Sequence, residues 1–173
     1  MTDKIKAILN KQIQEEMYSS NLYLAMAGRL ESWNLKGMAN WMQIQAKEEH
    51  NHALGFFFFL LIRGVEPIMP MIAQPDLSQV TDVTAVFSAS LIHEQHITKC
   101  ISDIYEAAKE DKDYALESFI RWYIDEQVEE EANATEIKDK LKLIGTEGPA
   151  LYMLDQELAA RVFVDFVPGK TAA

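Results

Sequence analysis

Cysteine is almost missing from this 173-residue chain: Cys100 is the sole one. No disulfide can therefore close within a subunit, and no thiolate metal cluster can be held by one copy. Glycine (7) and proline (5) are sparse, which disfavours a turn-rich all-β design. Long apolar runs are also wanting. The longest, Phe56-Phe57-Phe58-Phe59-Leu60-Leu61-Ile62, is far shorter than the about 20 residues a membrane-spanning helix needs. The stretch MTDKIKAILNKQIQEE has charges every few residues and no apolar signal core, so a cytoplasmic, reducing location is expected. Positive charge is scarce, with 16 Lys and Arg against 27 Asp and Glu and a net charge of -11. Phosphate backbones and anionic lipid repel such a chain, so neither nucleic acid nor a membrane is expected as a partner. Cations are the natural partners.

What is present is enough apolar residue, 49%, to bury a full core in one domain. The hydrophobic period is helical nearly throughout. In the first segment Ile5, Leu9, Ile13, Met17 and Leu24 recur at helical spacings. The pattern predicts helices over 3–32, 36–63, 81–109 and 113–144, then a shorter one over 150–162 and a tail over 163–173. Asn34 is expected to cap the second helix, and Thr81 or Ser78 the third. Pro67, Pro70 and Pro75 forbid helix between the second and third. That linker, 65–80, spans up to about 53 Å when extended, and a helix of this length measures roughly 42 Å. The linker can thus run the whole bundle and start the third helix parallel to the second. The expectation is a single all-α domain: a four-helix bundle with one long crossover, plus a short fifth helix.

Within each helix a carboxylate interrupts the apolar stripe. The heptad series are Leu9, Glu16, Tyr23, Leu30; Met42, Glu49, Phe56; Met38, Gln45, His52, Phe59; Phe87, Glu94, Ile101; Ile120, Gln127, Ala134; and Tyr123, Glu130, Ile137. Glu16 and Glu49 are 33 residues apart, as are Glu94 and Gln127, and each pair straddles its turn symmetrically. In an antiparallel hairpin such residues face each other at one height. Six side chains are therefore expected to converge at mid-bundle: Glu16, Glu49, His52, Glu94, Gln127 and Glu130. Any one of these acids reads as ordinary surface charge, but four at matching phase and depth do not. A buried proton-sharing network is the other reading. With no Lys or Arg in those stripes to neutralise the carboxylates, a pair of divalent cations serves better, held by oxygen ligands and one imidazole.

The motifs EEMYSSNLY (15–23), AKEEHNH (46–52), HEQH (93–96) and WYIDEQVEEE (122–131), with the crossover, resemble the ferritin superfamily of four-helix di-iron proteins. Among these the chain is most similar to prokaryotic non-haem ferritins. The resemblance implies iron storage and detoxification: a di-iron ferroxidase centre oxidises Fe2+ with O2 or H2O2, and ferric oxyhydroxide collects in a hollow homo-oligomeric shell of 24 subunits. It implies that Glu16, Glu49 and His52 hold the first iron and that Glu94, Glu130 and the bridging Glu49 hold the second. Gln127 would hydrogen-bond at the site. Tyr23 matches the family's tyrosine beside the centre, and reads equally as core packing. A third iron site would use Glu48, Glu126, Glu129 and Glu130, although Glu126 and Glu129 also read as a solvated acidic face.

Departures from related groups set further expectations. Bacterioferritins carry Glu-x-x-His where this chain has Gln127-x-x-Glu130, and a haem-ligating Met where it has His50, so no haem is expected. His93 and His96 point off the Glu94 face. Trp41 and Trp122 read as core, and a subunit contact or the crossover is expected to cover the Phe56–Ile62 run. The resembled family places the fifth helix on a four-fold shell axis. Two rival readings stand beside storage: a di-iron oxidase or peroxidase without a storage role, and a structural bundle that takes up cations passively.

Overall fold

The computed structural model describes residues 1–169; the last four residues of the expected tail lie outside the described residues. Five helices follow one another with no strand among the described residues: α1 (Asp3–Ser32), α2 (Lys36–Ile62), α3 (Val83–Glu110), α4 (Tyr114–Ile144) and α5 (Pro149–Leu158). The four-helix bundle and its fifth helix are as expected. α1 and α2 form one hairpin, α3 and α4 the other, and α1 packs on α3.

The crossover is fastened along α1. The Ile68 N–H donates to Asn10 (2.7 Å), Gln14 donates to the Met71 carbonyl (2.9 Å), and Arg29 donates to the Leu77 carbonyl (2.8 Å). Nineteen helical residues separate Asn10 from Arg29, about 28 Å of axis, so the linker does traverse the bundle.

Turns and caps follow identifiable rules, and two differ from expectation. Asn34 does not cap α2. It adopts φ 61° and closes α1, with the Leu35 N–H on the Leu30 carbonyl and its own N–H on Glu31, both at 3.0 Å. This paired closure needs a left-handed residue, which Asn tolerates. α2 is left with no cap from its own neighbourhood. Asp155 of α5 supplies it instead, accepting the Met38 N–H at 2.9 Å. On α3, Asp82 rather than Thr81 or Ser78 is the cap, accepting from Ala85 at 2.8 Å.

α5 ends at Leu158 rather than 162. The following Val162-Phe163-Val164-Asp165-Phe166-Val167 is rich in β-branched and aromatic residues, which favour extended chain over helix. Leu151, Leu154 and Leu158 bury against the bundle end, whereas Met153 is exposed. The Phe56–Ile62 run is covered in part by its own chain. Phe56 and Leu60 are core, Phe59 stacks on Phe119 of α4 at 4.2 Å, and Leu61 and Ile62 remain exposed.

The apolar core is in two pieces. One gathers Met26, Leu30, Met38, Met42, Phe87 and Leu141 with α5. The other gathers Leu9, Ile13, Phe56, Leu60, Ile101, Ile104 and Ile120. Between them lies a polar layer.

Candidate metal centre

Gln12, Glu16, Gln45, Glu49, His52, Glu94, Gln127 and Glu130 make that layer, and none is more than 5% exposed. Helical rise places them there. Each of the four carboxylates Glu16, Glu49, Glu94 and Glu130 sits in a stripe whose preceding and following heptad positions enter one apolar core or the other, and is carried inward by its neighbours' burial.

Glu16, Glu49 and His52 offer ligand atoms that all lie within 4.8 Å of one another. Gln12 donates to Glu16 Oε1 (2.9 Å), while Glu16 Oε2 is buried with no hydrogen-bond partner among the described residues. His52 Nδ1 lies 3.3 Å from Glu49 Oε2. The Gln45 amide nitrogen bridges the hairpins, donating to Glu49 Oε1 (3.0 Å) and to Glu130 Oε2 (2.7 Å). Across the layer Glu94 accepts from the Tyr23 hydroxyl and from the Gln127 amide (3.1 Å). Ser90 donates to the Tyr23 oxygen at 3.3 Å. Tyr23 is thus both fully buried and bonded to the site.

Electrostatics are those of crowded acids out of water. Burial, then the charge of Glu49, raises the Glu16 carboxyl well above the usual range. Burial, with Glu94 and Glu49 nearby, does the same to Glu130. Glu94 is pushed up to about 8, by burial and then Glu49, against the Tyr23 and Gln127 hydrogen bonds. Glu49 is also strongly opposed by burial, yet the bond and charge of His52 with the Gln45 bond outweigh it and lower its pKa. For His52, burial works downward, but Glu49, Glu16 and Glu130 overcome it and raise the ring to about 10. Protons hold this layer together in the absence of cations. A divalent ion can replace them, and the orphaned Glu16 oxygen supplies a lone pair ready for it.

The third-site candidates are less gathered. Glu48 and Glu126 are half-buried on the α2/α4 side, with Glu126 4.0 Å from His52 Nε2, whereas Glu129 is exposed. Burial raises both Glu48 and Glu126, and for Glu48 the Arg161 charge opposes the rise. Trp122 is not core. It is half-buried, with its ring 5.4 Å from that of His52. His93 Nε2 meets the Ser19 hydroxyl at 2.7 Å and His96 meets Glu15 at 3.1 Å, so both face α1 rather than the centre.

Sequence reasoning missed Gln12 and Arg161. Gln12 lies one helical turn before Glu16, and that i, i+4 spacing is its signal. Arg161 comes from the extended tail, where no periodicity marks it. Its guanidinium donates to Gln45 Oε1 at 2.8 Å and pairs with Glu48. A cation does approach the acidic layer, though not from within the helical stripes.

Comparison with known proteins agrees over most of the chain. The Ferritin-like domain family matches residues 6–144. A bacterial non-heme ferritin from Staphylococcus epidermidis is 35% identical over 163 residues, covering 94% of this chain and 98% of that one. One from Staphylococcus saprophyticus is 36% identical over 155 residues, covering 90% and 92%. Among solved structures, a humanized archaeal ferritin superposes with TM-score 0.92 at 42% identity, over 95% of this chain and 99% of its own. An open-pore ferritin from the archaeon Archaeoglobus fulgidus gives 0.91 at 41% identity, over 94% and 99%.

Proposed function

Because the chain belongs to the ferritin family, we propose that it stores iron, oxidising Fe2+ in the mid-bundle layer and keeping the ferric product inside a shell of 24 copies. The whole chain acts as one ferritin-like unit, working in the cytoplasm. The observation that carries this reading is the convergence of Glu16, Glu49 and His52 with an unpartnered carboxylate oxygen in a buried layer.

Iron is substrate here. Glu16, Glu49 and His52 receive one Fe2+, while Glu49, Glu94 and Glu130 receive a second. Glu49 suits the shared position because its lowered pKa keeps it ionised between the two. Each Fe2+ gives up one electron, and O2 with two protons takes the pair as H2O2. With H2O2 as oxidant, the pair and two further protons give two waters. Carboxylates favour the harder Fe3+ without gripping it as thiolates would, so the product can leave. Gln45 ties Glu49 of one hairpin to Glu130 of the other, Gln127 holds Glu94 within the second hairpin, and Tyr23 holds Glu94 through its hydroxyl. Glu48, Glu126, Glu129 and Glu130 form a third iron site on the side facing the store. No haem takes part.

Aerobic Fe2+ loading followed by size exclusion tests the reading. Several hundred iron atoms or more should co-elute with a particle of roughly half a megadalton, the size of a closed shell of such chains. Rapid Fe2+ oxidation by a small oligomer that retains no iron would favour a non-storage di-iron oxidase. No oxidation at all would leave only passive cation uptake.

A further inference from the structure

Beyond α5 the chain does not trail away. It lies extended in the groove between α2 and α4 and follows α2 in the same direction. Asn40 donates to the Arg161 carbonyl (3.2 Å), Lys47 sits over the Phe163 ring, and Asn51 donates to Asp165 (3.0 Å). Pro168 closes on Gly55, where a Cβ would come within 3.2 Å of the proline ring. From residue 161 to 168 extended chain covers about 23 Å. From Trp41 to Gly55 the α2 axis advances about 21 Å. The lengths match, so the segment is laid down along the helix rather than bunched against it.

Beneath this strap is a cavity of about 250 Å³ walled by Glu48, His52, Trp122 and Glu126 below and by Val164 and Phe166 above. His52 is 5% exposed; with Nδ1 turned to Glu49, its Nε2 faces this space, 4.0 Å from Glu126. At one end stands Arg161. Its guanidinium stacks on Trp41 (4.3 Å), bonds Gln45 Oε1 (2.8 Å) and pairs with Glu48. The Gln45 amide thereby has its oxygen taken by the arginine and its nitrogen aimed at Glu49 and Glu130. A planar guanidinium is well suited to such a stacked, forked position, and it carries its charge at every working pH.

We propose that residues 161–169 are a tethered plug over the Glu48–Glu126 cavity, in which Arg161 stands on Glu48 as a resident cation that a metal ion must displace to occupy that cavity. This rests on the reading of the buried layer as a metal centre. The tail thereby acquires a role in ion traffic. An ion passing between the centre and the α2/α4 side exchanges with the arginine, and the half-buried Glu48 is never left without a counter-charge. Arg161 is a positioning residue for the centre, acting through Gln45.

Zn2+ titration calorimetry on the metal-stripped, assembled protein separates the possibilities. The native protein should show two tight ions per subunit and a weaker third. Arg161→Gln should tighten the third about tenfold, about 1.4 kcal/mol, and Arg161→Lys, which keeps the charge, should tighten it less. In a Glu48→Gln background the Arg161→Gln effect should vanish. Should Arg161→Gln fail to assemble, Val164→Gly with Phe166→Gly loosens the strap and keeps the arginine. That variant should take up the third Zn2+ faster in stopped flow. Two tight ions with a third that none of these changes alters would overturn the plug and spare the metal centre. Absence of the two tight ions from the native protein would overturn both.

Discussion

Exchanging Glu16 for glutamine replaces one oxygen with a nitrogen and leaves volume unchanged. In the native protein Oε2 is buried with no hydrogen-bond partner among the described residues, beside the Glu49 carboxylate. Leaving such an acceptor unmatched costs about 1–3 kcal/mol. In Glu16→Gln the amide nitrogen takes its place and turns toward Glu49 as a donor, while Oε1 still accepts from Gln12. Where pH is high enough to ionise Glu16, the metal-free variant should therefore gain about 2 kcal/mol, a rise of about 4–8 °C in Tm for a chain of this size; at lower pH, where burial and Glu49 keep a proton on that carboxyl, the gain should disappear. Zn2+ should act the other way. At a hundred times its Kd one ion adds about 2.7 kcal/mol to the native protein. The variant has lost a charged ligand, so its advantage shrinks by about 1.4 kcal/mol for each tenfold loss of affinity. Urea unfolding followed by tryptophan fluorescence, with and without Zn2+, measures both. A metal-free variant less stable than the native protein, or a gap that Zn2+ does not narrow, would refute the view that this layer is strained in favour of a cation.

Further outcomes follow from the same geometry. Glu94 titrates at about 8 when folded, against an ordinary carboxyl value of 4.5. Between those values the folded state holds a proton that the unfolded state lacks, so metal-free stability should fall as pH rises through that window. His52, raised to about 10 from 6.5, continues the fall upward; melting curves across the range, flattened by added Zn2+, would verify both. Tyr23→Phe takes a donor from Glu94 and should cost about 1.5–3 kcal/mol of site binding energy, visible as slower initial Fe2+ oxidation at limiting iron. Asp155→Ala removes the cap of α2 and should cost about 0.5–2 kcal/mol, read as a lower urea midpoint with α5 amides exchanging early. Gly37→Ala should do more, because its Cβ would lie 1.7 Å from the Asp155 carbonyl and cannot coexist with a docked α5.

Periodic features were legible in the sequence and non-periodic ones were not. The spacings of 33 between Glu16 and Glu49 and between Glu94 and Gln127 work because a helix converts residue number into height. The prolines of the linker fix the crossover in the same direct way. Glu49 and His52 at i, i+3 share a face for the same reason. Asp155 on α2 and Arg161 on Gln45 and Glu48 obey no such rule, since each joins residues more than a hundred apart by packing that only the finished fold defines. Asn34 misled because asparagine serves equally well before a helix and after one. Trp122 misled because a large apolar ring reads as core by residue type alone, whereas its heptad mates Ala115, Glu129 and Glu136 are exposed and mark a groove-facing stripe.

The capping of α2 by Asp155 has a consequence for the order in which the molecule is completed. α2 carries Glu49 and His52, yet its first turn and its outer groove receive their partners from residues 155 and 161–169, more than a hundred positions later. While the chain is being synthesised, α1 and α2 can pair as soon as both have emerged, but the start of α2 stays frayed and its acidic side open. They close only once residues 155–169 have emerged and docked. A copy cut short after α4 would carry every residue of the metal centre and still be an inferior subunit. The arrangement thus makes competence of the centre wait on residues 155–169.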